Sequence, residues 1–262
     1  MSAPVIARRS SSFHDVSTVA RRAVRDTIRD PEAVIPGVLI ATFFYAVNVG
    51  SLQNLTESGA PGFDFKAFQL PSAIIFAVTG VSRASSLVID ITGGYFDRLL
   101  LSPVRRRALL VGLMAADALL VLAPSITVTV MAFVIGVRFE TGVLGLVVFL
   151  GMSMLWGLAF TGFPYAIALK TGSPAAVNSS FLIFFPFAFL TTSFVPKESM
   201  TGWLSAAATW NPMTYLLSAL RSLVSEGWDV AELLKGLAAI AGVGITAQVL
   251  AFAALNGRLK RG

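Results

Sequence analysis

The sequence predicts an all-α integral membrane protein of six transmembrane helices, and three observations carry that expectation. Six apolar stretches, separated by short polar connections, fill most of the 262 residues. Apolar residues (AVILMFWYC) make up 55% of the chain and Asp, Glu, Lys and Arg only 13%, too little charge to cover a soluble surface of this size. The charge is also placed unevenly. With six crossings and a cytoplasmic N-terminus, fourteen of the 20 Lys and Arg residues fall inside, five fall outside, and Arg83 lies within a crossing. Such a bias orients the chain under the positive-inside rule.

Residues 1–32 read as a cytoplasmic tail ending in an interfacial amphipathic helix. Val16, Val19, Ala20, Ala23, Val24 and Ile28 share one helical face, and Arg21, Arg22, Arg25 and Arg29 share the other, facing anionic lipid. Asp30-Pro31 ends that helix and turns the chain into the bilayer. No short apolar core follows Arg8 and Arg9, so a cleavable signal peptide is not expected.

The crossings are expected at 33–52, 70–91, 108–136, 142–169, 175–195 and 236–256. Each meets or approaches the ~20 apolar residues that span a ~30 Å hydrocarbon core. Backbone polar groups find no water there, so each crossing should be helical. Pro124, Pro164 and Pro186 lie inside crossings and predict kinks. Ser153, Gly157 and Thr161 in the fourth, and Ala238, Gly242 and Thr246 in the last, form small-residue ridges suited to close helix packing. Together, residues 33–256 make one six-span domain, and 257–262 a basic cytoplasmic tail.

The outer region, about 196–235, is long and moderately apolar. Asn211-Pro212 interrupts it, and a further span there would move Arg258, Lys260 and Arg261 to the outer face. It reads instead as two short re-entrant helices in the outer interface, with Trp203, Trp210, Tyr215 and Trp228 at headgroup level. The non-helical backbone at Asn211-Pro212 must then be shielded by protein or face water.

No catalytic set is present. The single histidine, His14, is remote in sequence from every intramembrane nucleophile, so Gly151-Met152-Ser153 does not make a serine protease. The HExxH pattern is absent, and without cysteine there are neither thiolate metal ligands nor disulfides. Lys170-Thr171 lacks the glycines of a phosphate loop, since positions 164 and 169 are Pro164 and Leu169. No cofactor or metal is therefore expected in this chain. Its arginines flank crossings rather than forming a basic face, which argues against nucleic acid.

Two features inside the membrane need explanation. Arg83 and Asp117 fall at about the same depth, ~13 Å from the inner boundary at ~1.5 Å per residue. The expectation is an ion pair joined by Gln248, which either fixes helix register or takes part in substrate movement. The fifth crossing is rich in phenylalanine, with Phe181, Phe184, Phe185, Phe187, Phe189 and Phe194. These either pack against lipid and core, or, at Phe181, Phe184, Phe185 and Phe189, offer an apolar path to a lipid-like or drug-like substrate.

Two segments carry a family resemblance. One runs from Asp90 through Gly93-Gly94, Asp97-Arg98 and Ser102-Pro103 to Arg105-Arg106-Arg107 and Gly112. The other combines Pro196-Lys197-Glu198, Trp203-Leu204, Asn211-Pro212, Tyr215 and Arg221. Together they resemble the ABC-2 type exporter permeases, and among them the daunorubicin- and doxorubicin-resistance permease branch, over essentially the whole chain. That resemblance implies a half-transporter. Two six-span subunits, identical or related, would dock onto a dimer of cytoplasmic ABC ATPase subunits that holds ATP and Mg. Residues 93–103 would form the cytoplasmic coupling helix, with Asp97, Arg98, Arg105, Arg106 and Arg107 as the coupling charges. Pro196, Asn211, Pro212 and Tyr215 would close the outer gate. Ile89-Asp90-Ile91-Thr92 stands where many relatives have a glutamate-rich stretch. The implied activity is export of a hydrophobic drug or lipid-like substrate across the inner membrane, with both termini cytoplasmic. Alternatives are export of a polysaccharide or lipid-linked glycan, or a membrane scaffold that moves nothing.

Overall fold

The computed structural model describes residues 21, 24–25, 31–60, 62–79, 81–94 and 106–259, except for the side chains of 31–33, 106–110, 113, 115, 180–184 and 259. The described residues form helices joined by short turns, with no strand among them. The predicted amphipathic helix and the coupling segment fall almost wholly outside this set. The helices are α1 (Pro31–Gly59), α2 (Phe65–Val78), α3 (Ala84–Thr92), α4 (Arg106–Val134), α5 (Gly142–Thr171), α6 (Pro174–Phe189), α7 (Gly202–Trp210), α8 (Pro212–Arg221) and α9 (Val230–Leu259). Those with windows long and apolar enough to cross a membrane are α1, α4, α5 and α9.

Local chemistry sets the boundaries. Asp64 caps α2 by accepting the Ala67 N–H at 3.0 Å, and Ser173 caps α6 by accepting from Ala176 at 3.3 Å. Pro174 and Pro212 occupy first-turn positions, where a missing N–H costs nothing. Gly172 ends α5 in the left-handed conformation, φ 62°.

Three expected spans differ in the structure. The second, 70–91, is two helices: α2 stops at Val78 and α3 starts at Ala84, with Thr79 and 81–83 non-helical between them. The polar cluster of Thr79, Ser82 and Arg83 supplies side-chain partners that compete with the helical ladder. The fifth is shorter than 175–195, because α6 ends at Phe189 and Thr191 and Ser193 bond locally beyond it. The sixth begins at Val230, not 236, because Asp229 caps it by accepting from Ala231 and Glu232.

Packing centres on α5 and α9. A Cβ on Gly162 would lie 2.6 Å from the Ala247 backbone, and one on Gly236 would lie 2.7 Å from the Ala219 Cβ. Gly157 likewise sits against Val121 of α4, so the predicted Ser153–Gly157–Thr161 ridge does pack. The Ala238–Gly242–Thr246 ridge does not. All three are exposed, and the buried face of α9 runs through Gly236, Ile240, Ala247 and Ala251. Helix α1 and most of α9 turn Leu39, Phe43, Ile245, Val249 and other apolar side chains outward, as lipid contact requires.

Candidate transport and coupling site

The outer region builds from Asn211. Its carboxamide oxygen caps α8 by accepting the Met213 N–H at 3.0 Å, while its NH2 donates to the carbonyls of Phe187 (2.7 Å) and Leu190 (2.9 Å) at the end of α6. One side chain thus satisfies the start of one helix and the end of another, and at 5% exposure it is shielded as predicted. The Tyr215 hydroxyl donates back to the Thr209 carbonyl at 2.8 Å, closing the α7–α8 turn. Pro196 begins the short 3₁₀ turn Lys197–Ser199. The two helices are not alike. Helix α7 exposes Trp203 and Trp210, whereas α8 is buried from Met213 to Arg221 and packs against α9 and α2. Only the first has the character of an interfacial helix.

Arg221, at the end of α8, is the anchor that sequence reasoning passed over. It is 8% exposed. Its Nε donates to the Phe68 carbonyl at 3.1 Å, one terminal nitrogen donates to Thr192 Oγ1 (3.1 Å), and the other to Ser72 Oγ (3.0 Å) and the Thr192 carbonyl (2.8 Å). The guanidinium also stacks 3.6 Å from the Phe68 ring centroid. Burial pushes its pKa down, to about 9, which leaves it charged at neutral pH. Counting it as one more outer-loop cation hid this role. Its place at the end of an otherwise apolar α8 was the available signal.

Above Arg221 lies an open cavity of about 1000 Å³. Every outer connection contributes to it, through Asp64, Arg138, Glu140, Glu198, Glu226, Asp229 and Lys235 among others. The Thr141 hydroxyl and the Glu140 N–H tie the α4–α5 corner to the carbonyls of Leu223 and Val224, at 2.6 and 3.0 Å.

In mid-bundle the structure does bring Arg83 and Asp117 together. The contact is made by the Arg83 backbone N–H, which donates to Asp117 Oδ1 at 3.0 Å, so the carboxylate satisfies the start of α3. Asp117 is fully buried. Nearby the Trp156 indole N–H donates to Thr79 Oγ1 at 2.9 Å. Gln248 does not join the group; among the described residues it makes no hydrogen bond. Its neighbour Ala247 points at α5, so Gln248, one residue on, is turned aside.

The phenylalanines form a cluster wider than predicted. Phe185 and Phe189 of α6 meet in a tilted pair at 4.5 Å; Phe189 meets Phe76 at 5.1 Å and Phe194 at 5.3 Å; Phe44 meets Phe76 at 5.0 Å. Phe185 is 43% and Phe189 37% exposed, so the patch is open at its edge. The side chains of Phe181 and Phe184 lie outside the described residues. So do Asp97, Arg98 and Arg105, and the side chains of Arg106 and Arg107, which open α4. What is described of the coupling region is its approach: α3 ends with the Gly93 N–H on the Ile89 carbonyl at 2.9 Å, and Gly94 takes φ 70°.

A multi-span helical bundle whose helix breaks are bridged by buried polar side chains has the architecture of a membrane transport subunit. Residues 14–224 match the ABC-2 type transporter family, and the chain belongs to it. It is 28% identical over 234 residues to a daunorubicin resistance ABC transporter permease protein of Streptomyces coeruleorubidus, covering 87% of this chain and 77% of that one. A "Probable doxorubicin resistance ABC transporter permease protein" of Mycobacterium tuberculosis is 25% identical over 222 residues, with coverage of 84% and 80%. The chain is an ABC-2 exporter permease, a multi-pass membrane protein.

Proposed function

We propose that this chain is the membrane half of an ATP-driven exporter that moves a hydrophobic drug or lipid-like substrate outward across the inner membrane. Two permease copies, or this chain and a related permease, sit on a cytoplasmic ATPase dimer that holds ATP and Mg. The N- and C-termini face that ATPase. Residues 93–103, with Asp97, Arg98 and Arg105–Arg107, transmit its closure, and Asn211, Pro212, Tyr215 and Pro196 shape the outer exit. The observation that carries the substrate class is the edge-open aromatic cluster of Phe44, Phe76, Phe185, Phe189 and Phe194. Its rings offer a polarisable apolar surface with no hydrogen-bonding group to select sugars. The test is co-expression with an ABC ATPase and reconstitution in liposomes. A hydrophobic drug should stimulate hydrolysis, and Phe189→Ala should raise its half-saturating concentration roughly 2- to 12-fold, the value of one aromatic contact. Failure of any ATPase to co-purify, or stimulation by glycans but not by apolar drugs, would refute the proposal.

A further inference from the structure

Among the described residues the buried apolar side chains gather in two sets. An outer set gathers Tyr45, Ile74, Val128, Phe149, Trp156 and Leu217, and a separate inner set gathers Leu87, Val88, Met114, Tyr165, Leu169 and Leu255. Five paths cross from one set to the other, one of them α6, with Val177 in the inner set and Ala188 in the outer. The boundary falls between Val78 and Ala84, between Met114 and Val121 on α4, between Phe160 and Tyr165 on α5, and between Ile240 and Ala251 on α9. Contacts put these windows side by side: Trp156 on Thr79, Asp117 on Arg83, Gly162 on Ala247. Three irregular features of the bundle fall in the same windows. They are the helix break between Val78 and Ala84, the buried carboxylate of Asp117, and Pro164 inside α5.

We infer that this boundary is a joint, at which the inner half turns as a unit on the outer half about the break between α2 and α3, with Trp156 and Asp117 as the positioning residues that hold it. A continuous helix resists such a turn through its ladder of hydrogen bonds; between α2 and α3 the ladder is interrupted and two side-chain bonds replace it, while the helices that run on through the boundary must bend. Proline at 164 removes one more rung on α5. The joint also holds a polar contact that a turn would alter. Asp117 Oδ2 and the Tyr165 hydroxyl are both buried and face each other across α4 and α5 within hydrogen-bonding reach. A buried hydroxyl and carboxylate oxygen with no other partner among the described residues favour the arrangement in which the hydroxyl donates to the carboxylate. A turn of α4 against α5 tightens or breaks that contact, which gives the joint two discrete positions. The inner half carries the 95–105 connection, so only the source of the driving force rests on the coupling reading above.

Because the chain has no cysteine, spin labels can be placed cleanly. Ile89→Cys with Val143→Cys spans the joint, at sites 64% and 79% exposed; Val47→Cys with Val143→Cys stays within the outer half. Pulsed-EPR distances are measured in nanodiscs, with labelled chains diluted by unlabelled ones, alone and with the ATPase and ATP. The cross-joint pair should show two populations and the control one. Trp156→Phe, which keeps the bulk and loses only the indole hydrogen bond, should change their ratio roughly 2- to 12-fold and leave the control pair unmoved. Tyr165→Phe is the second variant should that one misfold, and should deplete the population in which the Asp117 bond is made. A cross-joint distance as narrow as the control, and unchanged in either variant, would overturn the joint. Two populations that respond to the variants but not to the ATPase would uphold the joint and overturn the coupling reading instead.

Discussion

Replacing Arg221 by methionine tests how the outer half is held. The substitution keeps the length of the stem and removes four hydrogen bonds and the stacking on Phe68. Not all of these count equally. Ser72 Oγ still donates to the Ser193 carbonyl at 2.9 Å, and the Phe68 carbonyl retains its place in the α2 ladder. The Thr192 carbonyl and hydroxyl, buried beyond the end of α6, lose the guanidinium. Hydrogen bonds to a charged donor contribute about 1.5–3 kcal/mol each, and an orphaned buried acceptor costs about 1–3 kcal/mol. Relief from burying the guanidinium, several kcal/mol by general experience of buried ions, offsets part of the loss. The net expectation is about 3–5 kcal/mol, in line with breaking a buried charged network. For a chain of this size that lowers the melting temperature by roughly 6–20 °C. The assay is thermal unfolding in detergent, read by loss of the monodisperse peak on size exclusion. Arg221→Lys should recover only part of the loss, since an ammonium cannot match the planar fork or the stack. Lys235→Ala, which breaks the exposed pair with Glu232, should change little, because such pairs contribute under about 1 kcal/mol. An Arg221→Met chain that melts with the parent would refute the anchoring argument.

The remaining expectations follow from packing and capping. Asn211→Ala removes the cap on α8 and two bonds to the end of α6; about 2–4 kcal/mol should be lost, with the α7–α8 turn opening to protease while α4 and α5 stay protected. Gly162→Ala should force α5 from α9 at a cost of about 1–3 kcal/mol, whereas Gly242→Ala, with nothing within 4 Å of its added methyl, should be neutral or up to ~1 kcal/mol stabilising; the two melting temperatures decide it.

The membrane class and the spans 33–52, 108–136 and 142–169 were legible because long apolar runs leave a helix no alternative in lipid. The break in the second span was harder to see. Its apolar residues run through at helical density, and only Thr79, Ser82 and Arg83 hint that side chains there would bond to backbone instead. The Asn211 site was legible because Asn-Pro is itself a local stop signal. Arg221 and Tyr165 were not, since their roles depend on partners more than a hundred residues away for Arg221 and on a neighbouring helix for Tyr165. The ridge on α9 was misplaced by one helical face. Its small residues are spread around the helix, and only the partner helix decides which of them is buried.

Three polar groups deep in this bundle share one purpose. At three places where the backbone leaves the helical ladder, a buried side chain supplies the missing bond: Asn211 for the start of α8 and the end of α6, Asp117 for the start of α3, and Arg221 for Thr192 beyond α6. In hydrocarbon such a backbone group would otherwise stand unpaired at a cost of several kcal/mol. This reverses the usual inference from intramembrane charge. Asp117 and Arg221 are explained by the broken backbone they satisfy, without any contact to substrate. The surface left for substrate is then the aromatic one, where no polar group competes. A permease built this way would discriminate substrates by shape and apolar area more than by charge, and Asp117→Asn should alter the rate of transport more than the ranking of substrates. A reordered preference between charged and neutral drugs in that variant would show that the carboxylate reads the substrate directly.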